Sequence, residues 1–164
     1  MLKMRLWKIY NEVGSAACAT GHYDLARRMF DAALEECSTN KALRREKMRS
    51  LIGLADALLL QSQPDIALTI YNRALNIFAR LANVKPADKH VLAHALEAMG
   101  QIAMRQKSSD QALKYMLRSV RITKELPNSE PAVLARRLKE TALIYYQQGD
   151  QQMSFEFLQC SKHI

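Results

Sequence analysis

Small and bulky apolar residues recur along this chain at helical spacing, and the combination returns four times. Ala26, Ala67, Ala112 and Ser154 stand at steps of 41, 45 and 42 residues, and Phe30, Tyr71, Met116 and Leu158 follow at the same steps. Gly14, Ala55, Gly100 and Ala142 form a third set in the same register. A period of this length, occupied by paired helical patterns, marks a solenoid of stacked helix pairs. Side chains as small as these let two helix backbones approach closely, and the bulky residues fill the space between neighbouring pairs. All twelve positions are therefore assigned to the core.

Turn signals divide the pattern into eight helices, at about 2–20, 23–37, 41–61, 63–82, 86–106, 109–126, 131–148 and 151–162. Gly21-His22 and Gly149-Asp150 read as turns inside pairs, and Asn83-Val84-Lys85 and Pro127-Asn128-Ser129 as connections between pairs. Ser38, Thr39 and Asn40 offer N-cap side chains for the third helix, Ser62 for the fourth, and Ser108 or Ser109 starts the sixth. Pro64, Pro86 and Pro131 fall in first turns, where a missing amide proton costs nothing. No stretch alternates with the period of a strand. The fold class expected is all-α: a right-handed α-solenoid of four helix-turn-helix repeats, about 1–39, 40–83, 84–127 and 128–164, in a single domain spanning 1–164.

The composition narrows this without changing it. A chain of 164 residues with 49% hydrophobic and 24% charged residues can bury a core, which excludes general disorder. Three cysteines without a CxxC pair argue against a disulfide scaffold or a structural zinc site, and for reduced thiols in a cytoplasmic protein. Lys3, Arg5 and Lys8 interrupt the apolar residues of the N-terminus, which reads as an amphipathic helix and not as a signal peptide. The longest apolar run, around LADALLL, is broken by Asp56 and is too short to cross a bilayer. The net charge of +8 favours acidic partners, nucleic acid or an anionic membrane surface, and equally serves solubility alone.

The repeats resemble those of the tetratricopeptide family. Tyr10, Val13, Gly14, Gly21, Tyr23, Ala26, Phe30, Ala33 and Leu34 make the best unit. Leu51, Leu54, Ala55, Ala67, Tyr71, Ala74 and Leu75 make the second, and Leu96, Met99, Gly100, Ala112, Met116 and Val120 the third. The fourth, with Leu138, Ala142, Tyr145, Gly149 and Leu158, carries serines in place of both alanines. The family repeat is 34 residues, so the longer period here looks like the branch found in kinesin light chains and bacterial regulatory proteins. The resemblance implies a non-enzymatic protein-interaction scaffold whose first helices line a concave groove.

The residues themselves supply no competing chemistry. A nucleophile with its base, a metal cluster and a phosphate-cradling glycine loop are all absent from the pattern. His90 and His94 have a zinc-compatible spacing but lack a third ligand, so no cofactor is expected.

Equivalent first-helix positions instead form rows. Lys8, Arg49, His94 and Arg136 make a basic row, and Asn11, Ile52, Glu97 and Lys139 a mixed one. Ser15, Asp56, Gln101 and Leu143 follow, then Cys18, Leu59, Met104 and Tyr146, which is more apolar. Such a surface suits an acidic or amphipathic peptide or partner helix, and Lys8, Asn11, Arg49, Asp56, His94, Glu97, Gln101, Arg136, Lys139 and Tyr146 are its expected contacts.

The repeats that clamp chaperone C-termini with Lys, Asn and Arg are matched at Lys8 and Asn11 but not at Gly53, Glu97 or Ala98, so that activity is disfavoured. Two alternatives remain. The final helix lacks a capping helix, and its apolar surface could pair with a second copy or serve a larger assembly. Lys114, Arg118 and Arg121 share one helix face, and Lys41, Arg44, Arg45, Lys47 and Arg49 crowd another; either could follow phosphates. Without interleaved aromatics, nucleic acid is the weaker alternative, and no membrane contact is expected.

Overall fold

The computed structural model describes residues 2–38, 41–127 and 129–164. Among these, eight α-helices form four antiparallel pairs, and no strand is present. In chain order they are α1 (Leu2–Ala19), α2 (Tyr23–Ser38), α3 (Arg44–Leu60), α4 (Pro64–Phe78), α5 (Pro86–Arg105), α6 (Ser109–Lys124), α7 (Pro131–Gln147) and α8 (Gln151–Lys162). The fold is the expected all-α repeat solenoid. Its helices gather into two compact units, Met1–Val84 and Lys85–Ile164, each holding two repeats.

Every first helix ends in the same way, although the sequences differ. Gly21, Ser62, Lys107 and Gly149 all adopt positive φ, between 59° and 83°. The following amide then donates back to the first helix: His22 to Ala17 O at 2.8 Å, Gln63 to Leu58 O at 2.9 Å, Ser108 to Ala103 O at 2.9 Å and Asp150 to Tyr145 O at 3.0 Å. This is the six-to-one bond of a Schellman motif, which satisfies a terminal carbonyl and reverses the chain in two or three residues. Glycine enters this left-handed conformation freely, whereas Ser62 and Lys107 enter it against a steric cost.

The second helices begin with less uniform caps. Ser62 is not an N-cap, because the left-handed turn places it at the end of α3; Gln63 precedes α4, with Pro64 at its first position. Asp150 caps α8 by accepting from the Met153 amide at 3.0 Å. Ahead of α3 a short 3-10 turn, Lys41–Leu43, replaces the expected first turn, and Leu43 stands at the cap without a side-chain bond. Ser38 ends α2, its hydroxyl donating to the Glu35 carbonyl at 2.7 Å, and Ser108 precedes α6 without a side-chain cap bond; Thr39, Asn40 and the turn residue Asn128 lie outside the described residues.

The repeated small residues are buried as their pattern predicts: Ala26, Ala55, Ala67, Ala112 and Ala142 expose nothing, and Ser154 is buried. Their partners are identifiable. In the first unit the ring of Phe30 on α2 lies against Gly14 of α1 and Gly53 of α3, so one aromatic joins a pair to its successor. In the second unit Met116 of α6 lies against Gly100 of α5 and packs with Ala103, Ala112 and Ile144.

Leu158 is the exception to the predicted core. Its counterparts Phe30, Tyr71 and Met116 are buried, but Leu158 is 40% exposed. The reason is positional: Phe30 and Met116 are covered in part by the first helix of a following repeat, and no described helix follows α8.

Two further ties join successive pairs at the turn edge. Gln61 Nε2, at the end of α3, donates to Asp24 Oδ1 at the start of α2 at 2.6 Å. Gln148 Nε2 repeats this bond from the end of α7 to Asp110 Oδ1 on α6 at 2.8 Å.

Candidate functional site

In the first unit, α1 and α3 carry four of the expected contact residues, and their side chains do different work. Lys8 is exposed and lies 3.7 Å from Glu12 one turn later, an arrangement that contributes little in water. Asn11 is half-buried; its Nδ2 donates to the Trp7 carbonyl at 3.1 Å and to Ser50 Oγ at 2.9 Å. Trp7 Nε1 donates to the same Ser50 oxygen at 2.8 Å. Ser50 is wholly buried, so this cluster is a polar tie between α1 and α3. Arg49 sits next to it, half-buried.

Asp56 accepts the hydroxyl of Tyr71, which is fully buried on α4. Burial, and then the neighbouring Asp56 charge, hold the Tyr71 phenol well above its ordinary pKa, so it serves only as a neutral donor. Asp56 is thereby spent on holding α4 to α3.

The second unit differs in kind. Glu97 of α5 is buried and accepts from Arg137 of α7 twice, with Nε at 3.0 Å and Nη2 at 2.9 Å from Oε2. Arg137 is itself buried, and its Nη1 donates to the Thr123 hydroxyl on α6. Arg136, half-exposed, meets the other Glu97 oxygen and lies 3.5 Å from Glu140 one turn on. Gln101 Nε2 reaches Glu140 Oε2 at 3.4 Å. His94, Lys139 and Tyr146 are exposed.

The rows inferred from the repeat therefore divide. Ile52 and Glu97 are interior residues, whereas Lys139, in the same register, faces solvent. Lys8, His94, Arg136, Lys139 and Tyr146 remain exposed, and Asn11, Arg49, Asp56 and Gln101 are half-buried.

Trp7, Ser50, Thr123 and Arg137, none of them among the expected contacts, bind these residues in place. Arg137 left a signal: it shares the buried face of α7 with Thr141 and Ile144, where only a paired cation is tolerable.

Among the described residues no group of three or more His, Cys, Asp or Glu side chains could hold a metal. Burial raises the pKa of Cys18, with Asp56 adding to it, and raises Cys37 to about 11, so neither is an activated thiol. No described helix is long and apolar enough to cross a membrane. Lys114, Arg118 and Arg121 are all exposed on α6. Arg44 and Lys47 line a shallow depression together with Arg80, a cation that the clustering along the sequence does not reveal.

Small positions closing on bulky ones, Schellman turns and stacked pairs define a helical-repeat protein. Residues 8–80 match the tetratricopeptide repeat family model, and the fold supports tetratricopeptide-type repeats. BtubC (BKLC) from P. vanneervenii is similar in fold, with a TM-score of 0.81 and 20% identity, over 96% of this chain and 62% of that one. The apo form of RapI gives 0.83 and 13%, over 97% and 55%. A kinesin-light-chain protein of P. anserina with nearly identical TPR-like repeats gives 0.77 and 17%, over 98% and 74%. This chain thus spans less than two thirds of the first two structures. No curated protein matches it. At these identities the likeness is one of fold, and the family's repeats generally mediate protein–protein interaction without catalysis.

Proposed function

We propose that this chain is a non-enzymatic, cytoplasmic interaction scaffold that holds an acidic or amphipathic peptide or partner helix against its first helices. The observation that supports this most directly is the division of labour within those helices. The repeated positions are consumed by packing, while exposed basic or potentially basic side chains remain in each unit: Lys8 on α1 in the first, and His94, Arg136 and Lys139 on α5 and α7 in the second. A ligand carboxylate would find register on these cations, and Tyr146 would supply an apolar anchor of the kind enriched in binding hot spots.

Charge reversal must avoid the cations that also hold the fold. Replacing Arg136 would set a new carboxylate beside buried Glu97, so Lys8→Glu and His94→Glu are the variants to compare, each checked by circular dichroism before capture is read. Together they should abolish capture of an acidic partner from lysate while the helical circular dichroism stays unchanged. Undiminished capture by the double variant would overturn the proposal.

A further inference from the structure

The outer face of α7 and α8 repeats, position for position, the surface on which α5 and α6 seat α7. Ile144 of α7 packs with Ala103, Ala112 and Met116, and Met104 and Leu113 pack against this cluster. Forty-two residues further on, Met104, Leu113 and Met116 correspond to Tyr146, Phe155 and Leu158. These three are 63%, 61% and 40% exposed. Leu143, in the place of Gln101, is exposed as well. An apolar seat of the kind that receives a helix inside the unit is thus open at its edge, and contiguous apolar surface of this sort marks an interaction site.

Charge identifies the occupant. Where α5 receives α7, the acidic Glu97 meets Arg136 and Arg137, and Ile144 enters the seat two turns later. At the open seat the residue corresponding to Glu97 is Lys139, which is exposed. A helix arriving in the same register therefore needs a carboxylate against Lys139, because a cation there would be repelled. A second copy docking through α1 would bring Lys8 and Ile9 to the places of Arg136 and Arg137. It would set Lys8 beside Lys139, which argues against that occupant.

We infer that the outer face of α7 and α8 is a docking site for an amphipathic helix of a partner protein. The helix carries a carboxylate facing Lys139 and, two turns later, an apolar side chain seated among Tyr146, Phe155 and Leu158. The site shares Lys139 and Tyr146 with the first-helix reading but lies partly on α8 and does not use Lys8 or His94, so the double variant that tests that reading leaves it intact, and Phe155→Asp tests it alone.

The α7 sequence supplies the probe. A labelled 17-residue peptide of residues 131–147 would be compared with its R136E/R137E version, each titrated against the intact protein. The charge change also alters the helix content of the free peptide, so the effect of Lys139 is read from how Lys139→Glu changes the difference between the two peptides. The Glu peptide should bind at least about tenfold more tightly at low salt. Lys139→Glu should reverse the preference, and Phe155→Asp should abolish binding of both peptides without altering circular dichroism. Equal binding of the two peptides, or binding indifferent to Lys139→Glu and Phe155→Asp, would overturn the proposal. So would a concentration-dependent dimer in sedimentation that Phe155→Asp abolishes, since the face would then belong to a second copy.

Discussion

Arg137 and Glu97 stand 40 residues apart in sequence and face each other in the interior of the second unit, with Nε 3.0 Å from Oε2. Both side chains are almost fully excluded from water, at 3% and 5% exposure. Arg137 continues to the Thr123 hydroxyl, whose own proton goes to the Ser119 carbonyl at 2.8 Å. One guanidinium thus links α5, α6 and α7. The desolvation of two charges cancels much of their attraction, so the pair adds little net stability; the cost arises when one partner is lost.

Removing one partner should accordingly be severe. Arg137→Met leaves the Glu97 carboxylate buried beside only Arg136 and should cost about 3–5 kcal/mol in chemical denaturation. The double variant Glu97→Gln with Arg137→Met should recover a substantial part of that loss. If the single and double variants unfold at the same denaturant concentration, the buried charge is not the source of the effect.

Phe30 and Gly53 show a second dependence between distant positions. A methyl group at residue 53 would run into the Phe30 ring. Gly53→Ala improves helix propensity by about 1 kcal/mol but overpacks a rigid ring, at roughly 1–3 kcal/mol. Thermal unfolding should show a lower Tm for Gly53→Ala, and Phe30→Leu in the same chain should relieve much of the added penalty. A raised Tm for the single variant would mean that Phe30 moves aside freely.

The four left-handed turns make opposite predictions at neighbouring repeats. Ser62→Gly and Lys107→Gly remove a strained φ and should raise stability, by up to about 1 kcal/mol. Gly21→Ala and Gly149→Ala have open space for the new methyl group, yet should lose about 1 kcal/mol from backbone strain alone. The four melting temperatures, measured side by side, test whether backbone conformation governs these turns.

The parts of the molecule legible in the sequence are those that the repeat specifies. Ala26, Ala67 and Ala112 recur because every helix pair demands a close approach at that place, and the residue type shows it. Glu97 was legible as part of a surface row only, because periodicity names a position without naming its partner. Its burial depends on Arg136 and Arg137, and no spacing rule selects those residues from among the other cations. Asn11 and Asp56 were hidden for the same reason: each is drawn into a bond with one particular residue, Ser50 or Tyr71, of another helix. Leu158 failed in the opposite sense. Its type matches a core position, but its burial would require a helix that no described residue provides. Local pattern fixes which face points inward, and long-range pairing decides which polar residues remain free for a ligand.

The cysteines extend this contrast to a measurable chemistry. Cys37 is buried, and burial, with Glu46 adding to it, raises its pKa to about 11; Cys18 is raised as well, whereas Cys160 lies exposed near the end of α8. Thiolate is the reactive form, so a small alkylating reagent at pH 8 should modify Cys160 first, Cys18 more slowly, and Cys37 chiefly on unfolding. The same shift ties stability to pH. The folded chain holds the Cys37 proton more tightly than the unfolded one, so its contribution is complete below the unfolded value of 9.0 and declines as pH rises towards 11. Tyr71, raised above its ordinary 10.0, adds a decline of the same sign from about pH 10 upward. Melting temperature should therefore fall from pH 9 to pH 11, and Cys37→Ala should flatten the first part of that fall. A profile identical in the variant, or first modification at Cys37, would remove burial as the cause.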